Sequence, residues 1–361
     1  MHYFKNLYIF FLTFALFLSF FSTTNVKAKA FNVNDIEISK PFKNNFNKNE
    51  VINIGFRKAF FELINSLIKS SDIKKIDRIK LNEIKSMINT FSIKEEKFIN
   101  QTYYVNMGVS FEKKKIFEYL EKKNIFPTQI IKETFLYLPI IIEEDVNDIL
   151  IFSDNIIYKN WNKFNEKSQL INYLLPTEDL EDINLIKKNI KSLESYDFKD
   201  IIEKYFLKNS IISLISKKDD EIKVLSKINI LENTVFRNDV FKKINLNSDD
   251  DVNYFIKNLK TIYEDLWKQQ NQINTSIKLP LLIRVDNKNL NTSLKFESSL
   301  DEIDLIGSYS INKFDKNFIF YDVVFNGTPN NFIKIMTSKN FKINTQKKVW
   351  ILEWKILINK S

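Results

Sequence analysis

Apolar and polar positions alternate along residues 31–38, FNVNDIEI, and this period of two predicts a strand. Past Pro41 and an Asn/Lys-rich connector the period changes. Val51, Ile54, Phe56, Ala59, Phe60, Leu63, Ile64 and Leu67 recur three and four apart, which predicts a helix over residues 50–69 with one buried face. A second helix is expected over residues 81–87. In QTYYVNMGVSF, residues 101–111, Tyr103, Val105, Met107, Val109 and Phe111 share one face of a strand. KKKIFEYLEKKN then reads as a short helix. These elements predict a small β-α-α-β-α unit over residues 31–124.

Residues 125–246 carry a different pattern. TFLYLPIII and DILIFS are nearly continuous apolar runs, as expected of strands covered on both faces. A helix containing Trp161 is expected over residues 155–165, then a buried strand in QLINYLLP. Two helices follow, within DLEDINLIKKNIKSL and DFKDIIEKYF. SIISLISKKDDEIKVLSKINI reads as two strands joined by a turn at residues 217–220. Strands alternating with helices predict a layered α/β arrangement.

Ser248 opens the longest helix, in which Val252, Phe255, Leu259, Ile262 and Leu266 recur in threes and fours up to about residue 270. The stripe stops short of three heptads, so it predicts one helix packed across a sheet rather than a coiled coil. Beyond it LPLLIRV and TSLKFES read as strands, residues 300–305 as a short helix, and SYSIN with FIFYDVVF as a strand pair. Residues 329–337 read as a helix with proline in its first turn, and FKIN and VWILEWKIL as strands. From TSLKFES to FKIN the order resembles a ferredoxin-like split unit. The expected fold class is therefore mixed α/β (α+β): an N-terminal unit, a middle layered unit, and residues 247–361 as a long helix plus a ferredoxin-like unit.

The first thirty residues predict a destination. Lys5 precedes an apolar run over residues 7–21, and Ala28-Lys29-Ala30 has the small-x-small form that signal peptidase accepts. The run is shorter than the roughly 20 residues of a membrane span. Cleavage after Ala30 and a periplasmic location are expected, the alternative being an uncleaved anchor. Without Lys5, Lys27 and Lys29 the charge falls from +9 to +6, and only Arg57, Arg78, Arg237 and Arg284 supply guanidinium groups. Lysines interleaved with acids predict a solvated surface and no nucleic-acid partner.

Composition removes several chemistries. The one histidine, His2, lies in the expected signal, and the chain has no cysteine. Ser-His-Asp and Cys-His nucleophiles are excluded, and zinc, copper and haem sites lose their usual ligands. The four glycines, Gly55, Gly108, Gly307 and Gly327, stand too far apart for a phosphate loop or a dinucleotide fingerprint. Carboxylate chemistry, a Ser-Lys pair or an oxygen-ligand calcium site survives, and no cofactor is expected.

Three candidate sites follow. LLPTEDLEDI, residues 174–183, holds Glu178, Asp179, Glu181 and Asp182 where a strand gives way to a helix. Thr177 or Asp179 is placed to cap that helix, with Asp182 at the capping-box spacing from Asp179. The competing reading makes Glu178, Asp179 and Asp182 a ligand or acid/base site at a sheet edge. Asn245, Asn247, Asp249 and Asp250 form a second oxygen-rich run, but a calcium loop would need Gly at Asp250 and Glu at Ile256. Ser248 capping the long helix, with Asp251 three residues on, accounts for it. Trp350, Leu352 and Trp354 share a face of the last strand, as core packing or as a partner surface.

The order of landmarks also carries a resemblance. An early amphipathic helix with Arg57 and Ala59 is followed by YYVNMGVSFEKKKIFEYL, TFLYLPIII, LLPTEDLEDI and IIEKYFLKNSIISLIS. IFYDVVFNGTPNNFIKIMTSKNFKI and a Trp-containing strand close the chain. This resembles the proteobacterial envelope family described as domain of unknown function two-zero-six-six, over most of residues 31–361. The chain lacks that family's usual Arg/Ala-rich helix and Gly-rich strand ends. The resemblance implies an envelope protein and no catalytic residues. Two function classes are expected on these grounds: a non-catalytic periplasmic scaffold or assembly factor that binds another envelope protein, or a carboxylate-based hydrolase or carbohydrate binder.

Overall fold

The computed structural model describes residues 30–143, 148–163, 165–218, 220–230, 233–287, 290–345 and 349–354, with Leu290 and Trp354 described by their backbone alone. The expected export signal lies outside the described residues, apart from Ala30. The architecture is mixed α/β with three sheets. Among the described residues no helix is long and apolar enough to cross a membrane.

The first sheet has the order β1-β3-β2, all antiparallel, from β1 (Ala30–Pro41), β2 (Ile88–Ile99) and β3 (Thr102–Glu112). Between β1 and β2 lie α1 (Lys48–Leu67), a 3₁₀ turn (Ser70–Lys75) and α2 (Leu81–Met87), and α3 (Lys113–Lys122) follows β3. The Asn47 side chain caps α1 by accepting from the Asn49 N–H. The helix buries the expected stripe with one change: Ile54 is 45% exposed, and Gly55 faces the sheet instead. A Cβ at Gly55 would lie 2.3 Å from the Met107 sulfur of β3, so the missing side chain lets helix and strand approach. The strand β2 has no counterpart in the sequence expectation. Eleven of its twelve residues are exposed, so it buries no apolar face and leaves no period to read.

The middle sheet has the order β5-β4-β7-β8-β9, with β6 beside β4. Its strands are β4 (Glu133–Glu143), β5 (Asp148–Leu150), β6 (Ile171–Leu174), β7 (Ser210–Lys218), β8 (Glu221–Ile230) and β9 (Asn233–Lys242). The parallel neighbours β4, β6 and β7 are joined through α4 (Ile156–Asn160), α5 (Leu180–Lys188) and α6 (Lys199–Glu203). One face packs under α7 (Asp249–Gln270), through Phe135, Tyr137, Ile211 and Ile215 against Phe255, Leu259, Tyr263 and Trp267. The other face packs Leu138, Ile140, Ile212 and Leu214 under Ile186, Leu193, Phe198 and Ile201. Coverage on both sides explains the unbroken apolar runs. DILIFS keeps strand form only over β5, because Phe152 turns to a φ of 50° and opens a 3₁₀ turn.

The last sheet has the order β11-β12-β10-β14-β13, from β10 (Leu279–Asp286), β11 (Ile306–Phe314), β12 (Phe318–Phe325), β13 (Phe341–Asn344) and β14 (Trp350–Trp354). TSLKFES is not a strand; it lies within α8 (Leu290–Glu302). A period of two would put Leu294 and Phe296 on one face, whereas the helix buries Ser293, Phe296 and Leu300 and leaves Leu294 53% exposed. The order strand, helix, strand, strand, helix, strand therefore starts one element earlier, at LPLLIRV, and includes α9 (Pro329–Ser338). The final strand β14 enters between β10 and β13, parallel to β10 and antiparallel to β13.

The first and last sheets repeat one path: strand, helical segment, hairpin, helix, with the opening strand paired to the second hairpin strand. Their buried residues form one continuous core, in which Phe60, Met107 and Phe111 belong with Ile283, Phe296 and Phe325. At its margin Lys113 of α3 pairs with Asp304, between α8 and β11. The lysine side chain is 6% exposed and the aspartate 35%, and burial lowers the lysine pKa against the opposing pull of Asp304. Asp304→Asn should cost about 2 kcal/mol, less than the ~3–5 of a fully buried pair because solvent reaches the carboxylate. The urea midpoint measures it.

Candidate functional site

The acidic segment 174–183 resolves into a helix start. Asp179 is the N-cap of α5 and accepts from the Glu181 N–H at 2.9 Å. Lys204, just past α6, reaches across to Asp179 at 2.9 Å and to the buried Asp182 at 2.7 Å. Asp182 and Asp179 hold the Lys204 pKa above its ordinary value, and Lys204 lowers that of Asp179. Thr177, the other capping candidate, instead takes the Tyr205 hydroxyl at its backbone N–H, 2.9 Å away. Asp182 thus turns to a lysine just past the next helix. Asp179→Ala should lower the thermal midpoint, while Glu181→Ala, at an exposed position, leaves it in place.

The second oxygen-rich run also closes on itself. Ser248 caps α7 through the Asp251 N–H, and Asp251 accepts from the Asn245 N–H at 2.8 Å. Among the described residues no cluster of acidic side chains could hold a metal ion. Trp350 packs against the core with its ring 5.9 Å from Phe332, and Leu352 is buried beside it. That places the Trp face inward at these two positions; the side chain of Trp354 lies outside the described residues.

A different site emerges on α7. The helix turns its apolar stripe to the middle sheet, and on a neighbouring face Lys260, Glu264 and Lys268 stand one turn apart, each under a tenth exposed. This polar row lines a cleft of about 950 Å³ whose other walls are the end of α1 with its 3₁₀ turn and the segment before β6. Glu264 accepts from the buried N–H groups of Leu170 at 3.1 Å and Ile171 at 2.8 Å. Burial raises its pKa, and those two N–H groups work in the opposite direction. Lys268 donates to the Asn65 carbonyl at 2.6 Å, and Asp265 accepts from the Ser70 N–H at 2.8 Å and from its hydroxyl. Burial also lowers the Lys268 pKa.

Lys260 is 3% exposed. Its ammonium donates to the Asn165 side-chain oxygen at 2.9 Å and lies 5.4 Å from the Trp161 ring centre and 5.5 Å from that of Tyr173. Burial pushes its pKa down to about 8, partly offset by Glu166 and Glu264. The cleft lining therefore combines a desolvated amine, the ring of Tyr254 and amide or hydroxyl groups from Asn165, Ser168, Gln169 and Asn253, while Trp161 and Tyr173 belong to the core behind it. Such a lining suits binding of a polar molecule. Charged residues four apart on a helix read in sequence as a solvated ladder, so the row left no signal. The available hint was Lys260 and Glu264 flanking the buried position Tyr263. No protein-family model matches the chain, and no curated protein matches it.

Proposed function

We propose that this chain is a non-catalytic scaffold or assembly factor of the envelope, exported to the periplasm and binding another envelope protein. The observation that carries the reading is the use made of the charged groups on α7. Glu264, Asp265 and Lys268 join the helix to the segment before β6 and to the end of α1 through hydrogen bonds. Titratable side chains of α7 thus act as struts, Glu264 within the middle unit and Asp265 and Lys268 from it to the end of α1. The resemblance to the family described as domain of unknown function two-zero-six-six supports the same reading. A carboxylate-based hydrolase has less support, since Asp179 and Asp182 converge on Lys204. Exposed sheet edges such as β2 and β9, with Phe98 57% and Phe236 59% exposed, offer surfaces for a partner.

The test places a photo-crosslinking amino acid at Phe98, at Phe236 and at a buried control, Phe60, in the chain expressed in its own host. A discrete heavier species from one edge and none from Phe60, recovered from the periplasmic fraction, is the expected result. Equal labelling at all three positions, or a chain confined to the cytoplasm, overturns the proposal.

A further inference from the structure

We propose that the free edge of β9 pairs antiparallel with β9 of a second copy, joining two middle sheets into one continuous sheet about a two-fold axis. The first ground is how this edge differs from the others. The strand is the last of its sheet and runs ten residues in unbroken register with β8. Among the described residues every other sheet edge is blunted. The strands β5, β6 and β13 are three or four residues long, and β1, β2 and β11 each carry a register shift. Short or bulged edges resist strand addition, as do edges bearing lysine or proline. Between Thr234 and Phe241, β9 has neither residue.

The second ground is that β9 reads as its own complement. Laid antiparallel against a second TVFRNDVFK with Asn238 opposite Asn238, the strand sets Arg237 against Asp239, Phe236 against Val240 and Val235 against Phe241. Residues directly opposite share a face of the sheet and interact there. Val235 and Phe241 face the core under α7, so Phe236 and Val240 lie on the other face, 59% and 53% exposed. Self-pairing covers each with the other. On the α7 face Arg237 and Asp239 of one copy pair at 2.8 Å. The same pair turned end for end in the second copy sets cation against anion at both contacts.

The register also serves the backbone. Hydrogen-bonding directions alternate along a strand with a period of two. Centring on Asn238 matches even-numbered positions with even and odd with odd. The N–H and C=O groups that β9 turns away from β8 therefore meet the same set in the second copy. A slip of one residue puts these groups out of line and sets Arg237 against Val240. A slip of two brings Asp239, or Arg237, against its own copy. Charge, apolar match and backbone all select one register.

This pairing is independent of the scaffold reading and leaves β2 for another protein. A Phe236 crosslink at twice the chain mass reports self-pairing; any other mass reports a different occupant and overturns it. The chain contains no cysteine, so one introduced thiol can link only to a second copy. Opposed residues lie about 4.5–5.5 Å apart at Cα, within disulfide reach. Asn238→Cys is therefore expected to give a linked dimer under mild oxidation. Thr234→Cys, whose own counterpart lies about 26 Å away along the pair, should not.

Sedimentation of the chain purified from its host should give twice the monomer mass at micromolar concentration. Arg237→Asp and Asp239→Arg each set like charges opposite one another and should sediment as monomers, with circular dichroism confirming that they fold. Mixed one to one, the two variants should dimerise again, because each charge in one meets its opposite in the other. Val240→Lys, at an exposed position that folding tolerates, should weaken the dimer by about tenfold or more. A wild-type monomer at that concentration, Thr234→Cys linking as fast as Asn238→Cys, or a mixture of the charge variants that stays monomeric each overturns the inference.

Discussion

Replacing Phe296 by Ala is expected to destabilise the N-terminal sheet as well as the C-terminal one. Phe296 is fully buried, with its ring 5.2 Å from Tyr321 and 5.9 Å from Phe341 in edge-to-face geometry. Deleting a buried phenylalanine costs ~3–5 kcal/mol through lost transfer energy and the cavity left behind. If the C-terminal unit stood alone, that loss would appear only there. The core around Phe296 instead runs on into Phe60, Met107 and Phe111, so the two units should open together. Hydrogen exchange decides the matter: peptides from α1 and from α8 should lose protection in parallel in the variant. Wild-type protection in α1 beside an opened α8 would show that the continuous core carries no energetic coupling. By the same reasoning residues 275–361 alone should show no cooperative urea transition, although their strand and helix pattern reads as a self-sufficient unit.

What was legible in the sequence depended on whether an element buries one clean face. The helix α7 was readable because Val252, Phe255 and Leu259 all turn to the sheet. Its cap at Ser248 and the cap at Asp179 were readable because capping needs only a short side chain just ahead of the helix. The strand β9 was not, because apolar residues occupy both its faces: Val235 and Phe241 half-buried, Phe236 and Val240 exposed. TSLKFES misled for a related reason. Two apolar residues two apart fit either period, and only burial in the folded core separates Phe296 from Leu294. The cleft was hidden more deeply. Lysine and glutamate on a helix signal solvent unless something covers them, and what covers Lys260 and Glu264 comes from residues 165–171, nearly a hundred positions away.

Glu264→Ala is expected to loosen this junction by about 3 kcal/mol. The substitution leaves the buried N–H groups of Leu170 and Ile171 without their acceptor, and an orphaned buried donor costs ~1–3 kcal/mol. Removing a carboxylate from a desolvated site returns part of that. Glu264→Gln keeps an oxygen for the same N–H groups and should lose much less. The two glutamate replacements therefore separate hydrogen bonding from charge, and pH gives the sign. Burial raises the Glu264 pKa above its ordinary 4.5, so near that pH the folded chain holds the proton that the unfolded chain releases. The glutamate's contribution is then greatest below the unfolded pKa and declines as pH rises through the folded one. Relative to wild type, Glu264→Gln should gain stability across that window as pH rises, as urea midpoints taken at successive pH values will show. A gap that moves in favour of wild type with rising pH would mean that the two N–H bonds outweigh burial and that Glu264 is held charged.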